Sequence, residues 1–411
     1  MIKRKLSIDR SNSIKSYKFN FDKDFNYGME FIINDKLDVA YKFNFLIRNL
    51  PGKIKALYNL SGYRFFYLDN GYLYKTNDDE YSELLYVGEN PPVLMEVMKG
   101  GKMQTLIIGE TVCSFYDGEN LTQVYMPKGE FGAVCRGRIV LANSNKIHVG
   151  LDYDFNSSSV SGGFFTITLP ESAGEVVGLG ELKDYVLVVC ANAIFKLLPD
   201  DELIYKLEDL KIKDLKVEKY TVKEINGDVY FINWSRVCCF NGSKVICIDS
   251  LLDKNAFTLQ GNAAIMDDKY LLTINTLGYI MLFVYDTTTK RQSFLRSESY
   301  VIGDGGYSGS NSKAYCKIEK GVSATKASWN SNYLNFSTNK KKALTGININ
   351  VSCPTTLRVV GDFGSKYFSL KKGENRKFTN LISRTFKFFI NALEYGLTMD
   401  YIEFKYKVLE E

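Results

Sequence analysis

The residue types that could do chemistry here are few. The only histidine is His148, in "NKIHVG". An imidazole serves as a general base beside a serine or cysteine, or as a metal ligand, and both jobs need partners. With no second histidine, and no cysteine at ligand spacing, a metal site is not expected, and His148 reads as a structural or surface residue. The eight cysteines (Cys113, Cys135, Cys190, Cys238, Cys239, Cys247, Cys316, Cys353) contain no CxxC pair. Seven lie in apolar-aromatic runs, where reduced core cysteines belong. Cys238 and Cys239 would face opposite sides of a strand, as an ordinary pair rather than a redox switch. Asp152, Asp154, Glu171 and Glu175 lie close enough in sequence to raise a glycosidase's two carboxylates, but in turn-rich sequence they read as solvated acids. "IGDGGYSGSNSK" (302–313) lacks both Walker spacing and a following helix pattern, so it reads as a linker and not a phosphate cradle. No catalytic residue, metal or cofactor is expected, and the chain is not expected to be an enzyme.

Charge points to partners instead. The net charge of +5 is uneven. Residues 311–411 hold 17 Lys/Arg against 8 Asp/Glu, or +9, leaving 35 against 39, or −4, on the rest. Lys340, Lys341 and Lys342, with Lys371 and Lys372, fall at expected hairpin turns of this basic module. One reading is charged turns that keep sheet edges soluble. The other is contact with an acidic partner or passing nucleic acid.

The elements that must carry these residues are strands. Tyr and Phe dominate an aromatic content of 14%, and apolar residues alternate with period two through 50–300. The hairpin "YLDNGYLYKTN" (67–77) is echoed by "FYDGENL" (115–121), "CFNGSKVICI" (239–248) and "FVYDTTTKRQSFL" (283–295). Asn70 to Asp117 is 47 residues, Asn241 to Asp286 is 45, and the 124 between Asp117 and Asn241 divides into three units of about 41. Two further strand-turn-strand units, 137–150 and 183–200, fill that gap. A period near 40–47 with four strands per unit is that of β-propeller blades.

The expected fold is therefore all-β. An N-terminal arm (1–50) contacts a ring neighbour or closes the propeller, and an irregular propeller of about six blades follows (51–300). A linker (301–314) then leads to a basic C-terminal β-sandwich (315–411). Helix is expected only in short turns near 250–256 and 391–395. No apolar run reaches the roughly 18 residues of a membrane helix, so no membrane insertion is expected. No signal-peptide pattern follows Met1, which points to synthesis and residence in the cytosol.

One stretch carries more than periodicity. Residues 135–197 resemble the central blades of the propeller proteins of phage necks and tails, the tail-nozzle and packaged-DNA stabilisation family of short-tailed phages. The resemblance rests on Gly137-Arg138-Ile139-Val140 opening a strand, then Gly150, Asp152, Asp154 and Phe155, then Gly174-Glu175 stepping into Val176–Leu179. It ends with Lys183-Asp184-Tyr185-Val186-Leu187-Val188 and Ile194–Leu197. "LPGKIKAL" (50–57) is similar to that family's first blade. Gly150 and Phe155 depart from its usual serine and tryptophan.

The resemblance implies that Arg138, Phe155, Gly174 and Asp184 are structural blade residues. It further implies a virion protein assembled in the bacterial cytoplasm as a hexameric or dodecameric ring, against other neck or tail ring proteins. Genomic DNA would pass through transiently without sequence recognition. The alternative reading is a carbohydrate-binding or carbohydrate-active propeller, such as a receptor-binding tail component, which needs convergent acids and exposed aromatics on one loop face.

Overall fold

The apolar runs fold into strands, alternating buried and half-exposed residues in strands such as Thr355–Gly361 and Phe386–Ala392 and buried on both faces in inner strands such as Val186–Cys190. The computed structural model describes residues 14–18, 25–29, 31–33, 37–39, 41–60, 62–77, 79–150, 163–199, 205–248, 258–276, 279–290, 292–297, 299–310, 313–320, 328–331, 333–394 and 397–409. Among these the only helix is a single 3-10 turn, Glu171–Ala173. The chain divides into two compact units. One comprises Phe43–Thr288 with Ser297–Ile318, and the other Met1–Lys42, Thr289–Arg296 and Glu319–Glu411.

The larger unit is a series of antiparallel meanders. The first sheet is Ile54–Leu60, Tyr63–Leu68, Tyr72–Thr76 and Tyr81–Tyr86. The second is Val93–Lys99, Lys102–Ile108, Cys113–Tyr116 and Leu121–Val124. The third is Phe131–Cys135, Arg138–Asn143, Lys146–Gly150 and Phe164–Thr168. The fourth is Val176–Glu181, Val186–Cys190, Ile194–Pro199 and Tyr205–Asp209, and the fifth is Lys223–Ile225, Asp228–Asn233, Arg236–Phe240 and Val245–Cys247. Thr258–Met266, Lys269–Thr276 and Tyr279–Asp286 repeat the meander as a sixth. A seventh joins Ile302–Gly303, Tyr307–Ser310 and Ala314–Lys320 to Tyr41–Ile47.

The inner strands are the most buried, as in Val186–Cys190 of the fourth sheet, where all five side chains are inside. The core lies between successive sheets. Val140, Val149 and Cys135 of the third pack with Val176, Val188 and Leu197 of the fourth. Val189 and Ile194 then pack with Phe231 and Phe240 of the fifth. Each such aliphatic or aromatic side chain contributes about 1.5–3 kcal/mol on burial.

Two sequence expectations need correction. The stretch 301–314 is not a linker, because it supplies strands of the seventh sheet. Its small residues answer crowding: a Cβ on Gly303 would stand 2.6 Å from the Leu57 Cβ, and one on Gly309 would stand 2.8 Å from the Ile54 Cβ. The hairpin at 69–71 is also not equivalent to the others. It joins second and third strands, whereas Asp117–Asn120 and Asn241–Lys244 join third and fourth. The first sheet's counterpart is Asn77–Glu80, where the Asn77 side chain accepts from the Asp79 and Glu80 amides as Asp117 does from Glu119 and Asn120. Asn77 to Asp117 is then 40 residues, in line with the 41-residue spacing further on.

The smaller unit contains two groups of strands. Lys342–Val351 pairs with Gly373–Ser383 and with Met399–Val408, which also pairs with Lys15–Lys18. Thr355–Gly361 pairs with Gly364–Leu370 and with Phe386–Ala392, which pairs in turn with Ser328–Ser331. Inward rings of the two groups meet, with Phe388 and Phe404 stacked at 4.1 Å and Phe336 against both Phe386 and Phe404. Strands Phe25–Met29 and Gln292–Arg296 also pair within this unit, so it draws on chain far outside 315–411. The stretch near 391–395 begins within strand Phe386–Ala392 rather than a helical turn, and 250–256 lies outside the described residues.

Candidate functional site

In the larger unit the first strands of successive sheets touch in chain order, and Ile302–Gly303 returns to touch Ile54–Leu60. Residues just before or at the start of these strands therefore come together from distant parts of the sequence. Glu130 precedes the third sheet, Glu175 the fourth, and Lys219-Tyr220 the fifth. The Lys219 ammonium lies 2.9 Å from the Glu130 carboxylate and 3.0 Å from that of Glu175. The Tyr220 hydroxyl donates to Glu130, and its ring lies 5.5 Å from Phe131. Tyr220 has φ 62°, a left-handed conformation that a non-glycine residue adopts only under surrounding constraint.

Burial pushes the Tyr220 phenol up to about 12, with the Glu130 hydrogen bond adding to it. Burial alone would lower the Lys219 pKa, but its hydrogen bonds to Glu130 and Glu175 outweigh this, and the net shift is upward. Half-buried Tyr58 donates to the Pro92 carbonyl at 2.5 Å, and burial, with the Tyr67 and Tyr220 phenols, raises its pKa. The cluster is thus an ammonium shared by two carboxylates, one of which also accepts from the Tyr220 phenol. Chemically it can clasp three sheets, or offer hydrogen bonds to a polar ligand.

Where the same first strands finish, a hollow of about 470 Å³ is lined by Val134, Arg136, Gly137, Glu181, Lys183 and Glu224, among others. Glu181 accepts from the Val134 amide at 3.1 Å, yet burial, with Glu224 and Glu96 adding to it, raises its pKa. Among the described residues no group of three His, Cys, Asp or Glu is placed to hold a metal.

A second device recurs on other strands of the sheets. Lys75, on the third strand of the first sheet, donates to the Tyr116 hydroxyl (2.8 Å) and the Gly118 carbonyl (3.1 Å) of the second. Its ammonium also lies over the Tyr63 and Tyr116 rings. Lys196, on the third strand of the fourth sheet, donates to the Gly242 carbonyl of the fifth (3.0 Å) and lies over Tyr185 and Phe240. The aromatic-Asx-Gly turns "YDG" and "FNG" are therefore sockets for a neighbour's lysine.

The residues singled out from sequence are scattered. Arg138 opens the second strand of the third sheet, is 1% exposed, and lies 5.5 Å over the Tyr205 ring of the fourth. Gly174 (φ 75°) closes the 3-10 turn, and exposed Asp184 pairs with Arg136 at 3.6 Å. Phe155, Asp152 and Asp154 lie outside the described residues. Glu171 stays apart in the 3-10 turn, while Glu175 joins the clasp. His148 sits on a strand bonded to the Thr166 hydroxyl at 2.9 Å, its pKa lowered by burial and by Lys146.

Lys340, Lys341, Lys371 and Lys372 are exposed. Lys342 is not a contact residue: it is 0% exposed, and its ammonium donates to the carbonyls of Thr338 (2.6 Å) and Lys340 (2.7 Å). The cysteines also depart from expectation, because Cys238 and Cys247, directly opposed on neighbouring strands, form a disulfide. Glu130, Lys219 and Tyr220 had no sequence signal, since three separate sheets must close before they meet.

No protein-family profile and no curated protein matches the chain. Among solved structures it is similar to the extracellular domain of the putative hybrid two-component system BT4673 of B. thetaiotaomicron (TM-score 0.50, 10% identity). That match covers 80% of this chain and 47% of the other, so it spans less than half of that chain's length. YCF48 bound to D1 peptide is also similar (TM-score 0.47, 10% identity, 68% of this chain and 95% of the other). So is PorZ, a surface component of the type-IX secretion system of Porphyromonas gingivalis (TM-score 0.42, 10% identity, 80% and 46%). The fold of this chain is all-β and of the β-propeller type, with many four-stranded antiparallel sheets.

Proposed function

We propose that this chain is a non-enzymatic structural protein, a seven-bladed propeller with a β-sandwich, that forms a ring layer in a phage neck or tail around the DNA exit path. In this reading the seven meanders are blades, and strand Tyr41–Ile47 completes the last of them. The observation that carries the structural role is the density of cross-sheet ties. Lys75, Lys196, Lys219 and the Lys223–Asp304 pair (2.9 Å) each bind one sheet to another. Charged groups spent on such ties suit a rigid body that bears load and presents loop ends to neighbours. The virion setting rests on the resemblance carried by Arg138, Gly174 and Asp184. Its partners are copies of itself (a hexamer or dodecamer), adjoining neck or tail rings, and DNA in transit without sequence recognition. A tagged chain should copurify with intact virions and mark the neck or tail in negative-stain images. A chain absent from purified particles refutes this setting.

The clasp favours one second reading. Glu130 and Glu175 converge beside Tyr220 and Phe131, as a carbohydrate-binding face requires. Glycan-dependent thermal stabilisation that Glu130→Gln abolishes would support it and displace the first reading.

A further inference from the structure

The outer face of strands Thr355–Gly361, Gly364–Leu370 and Phe386–Ala392 has an unusual composition. Tyr367, Arg358 and Phe389 lie directly opposite one another across the three strands. The Arg358 guanidinium is 5.3 Å from the Tyr367 ring centre and 5.6 Å from that of Phe389. Two residues along, the Lys387 ammonium is 5.3 Å from both Phe389 and Tyr333. Five side chains thus alternate ring, cation, ring, cation, ring. The remaining outward positions of these strands are neutral, so no carboxylate on this face balances Arg358 and Lys387. The Arg358 Nε is covered and has no hydrogen-bond partner, so the nitrogens at the end of its guanidinium are the ones a partner would meet.

The row also limits its partner. Ring faces turned toward the cations are occupied, which leaves mainly N–H and O–H donors for an incoming group. That chemistry suits carboxylates better than stacked bases or sugars.

A matching surface exists on the larger unit. The Lys75 socket holds the third-to-fourth-strand turns of the first two sheets side by side. Those turns and the strand beside them expose Asp79, Glu80, Glu83, Asp117 and Glu119. Among the described residues none of the five is in an ion pair. We infer that the cationic row of one copy docks on this acidic rim of a second copy. The inference rests on the assembly reading and adds its interface. The smaller unit's residues hold 27 Lys/Arg against 14 Asp/Glu, or +13, and the larger unit's 25 against 33, or −8, and these opposite charges steer the approach. Because the two surfaces differ, the contact is heterologous, and repetition closes a ring or extends a filament.

Sedimentation velocity of the full chain at tens of micromolar across 50–500 mM salt tests this. Parent chain should form oligomers that shrink as salt rises. Arg358→Glu with Lys387→Glu should weaken association by at least about tenfold, and Glu80→Lys with Glu83→Lys and Glu119→Lys should do the same. Mixed one to one, the two variants should reassemble, since each acidified row then meets a basified rim. Lys387→Glu alone serves if the double variant misfolds, and the rim variant probes the contact from the other unit. Full-sized rings from either variant alone, or no recovery on mixing, overturn the interface while leaving assembly standing. A parent that is monomeric at tens of micromolar in low salt overturns both. A monomer that instead binds single-stranded oligonucleotide through Arg358 replaces the acidic surface by nucleic acid.

Discussion

Replacing Lys75 by methionine removes an ammonium but keeps most of the side-chain stem, so it isolates the socket. The lost contacts are two charged hydrogen bonds, to Tyr116 (2.8 Å) and Gly118 (3.1 Å), and the approach to the Tyr63 ring at 4.5 Å. A hydrogen bond to a charged group contributes about 1.5–3 kcal/mol and a partly exposed cation–π contact about 0.5–1 kcal/mol. At the low end these sum to about 3.5 kcal/mol, and desolvating the half-buried ammonium offsets about 1.5 kcal/mol, which leaves about 2 kcal/mol. For a unit of this size that corresponds to a Tm lower by about 4–8 °C. Lys196→Met should cost less, about 1 kcal/mol, because its socket repeats the glycine carbonyl and both rings but Phe240 stands where Tyr116 accepts the second bond. The sockets lie in different sheet pairs, so the double variant should add to within about 0.5 kcal/mol. Urea unfolding followed by tyrosine fluorescence measures all three. Losses below about 0.5 kcal/mol, or a large effect at one socket only, would refute the repeated-tie reasoning.

Arg138→Ala should destabilise by about 3–4 kcal/mol in the same assay, since a 1% exposed side chain packed over Tyr205 leaves a cavity between two sheets. The phenols of Tyr220 and Tyr285, each pushed up to about 12 by burial first, keep their protons more tightly when folded. Their contribution is complete below pH 10 and lost as pH rises through about 12, so alkaline unfolding should release phenolate absorbance in one late step. Tyr220→Phe should shrink that step, and ordinary titration near pH 10 would contradict the burial. Alkylation in denaturant, before and after reduction, should find Cys238 and Cys247 protected only in the oxidised chain. Reduction should cost about 2.5–3 kcal/mol for a loop of this length, and labelling of both without reductant would rule the bond out.

Strand alternation and the 41-residue spacing were legible because burial on one face imposes period two and each meander must restart. The phase of the first unit was not, because Asp69-Asn70-Gly71 and Asn77–Glu80 are both Asx turns and local chemistry does not tell which pair of strands a turn joins. Residues 302–313 looked like a linker because thin strands and flexible ones share small residues. Only contact with Leu57 and Ile54 separates the two cases. Lys342 read as part of a solvated run, yet strand pairing places one lysine of three inside. Of the clasp only Glu175 stood in a stretch the sequence singles out; Glu130, Lys219 and Tyr220 had no local signature, since they come together only when three sheets close.

The central claim, a propeller that works by assembling, is tested most directly by the native mass of the purified full chain in low salt. The account predicts a closed ring of roughly six or twelve times the 46.7 kDa protomer, falling apart as salt rises. A single 46.7 kDa species at every salt and protein concentration would contradict it.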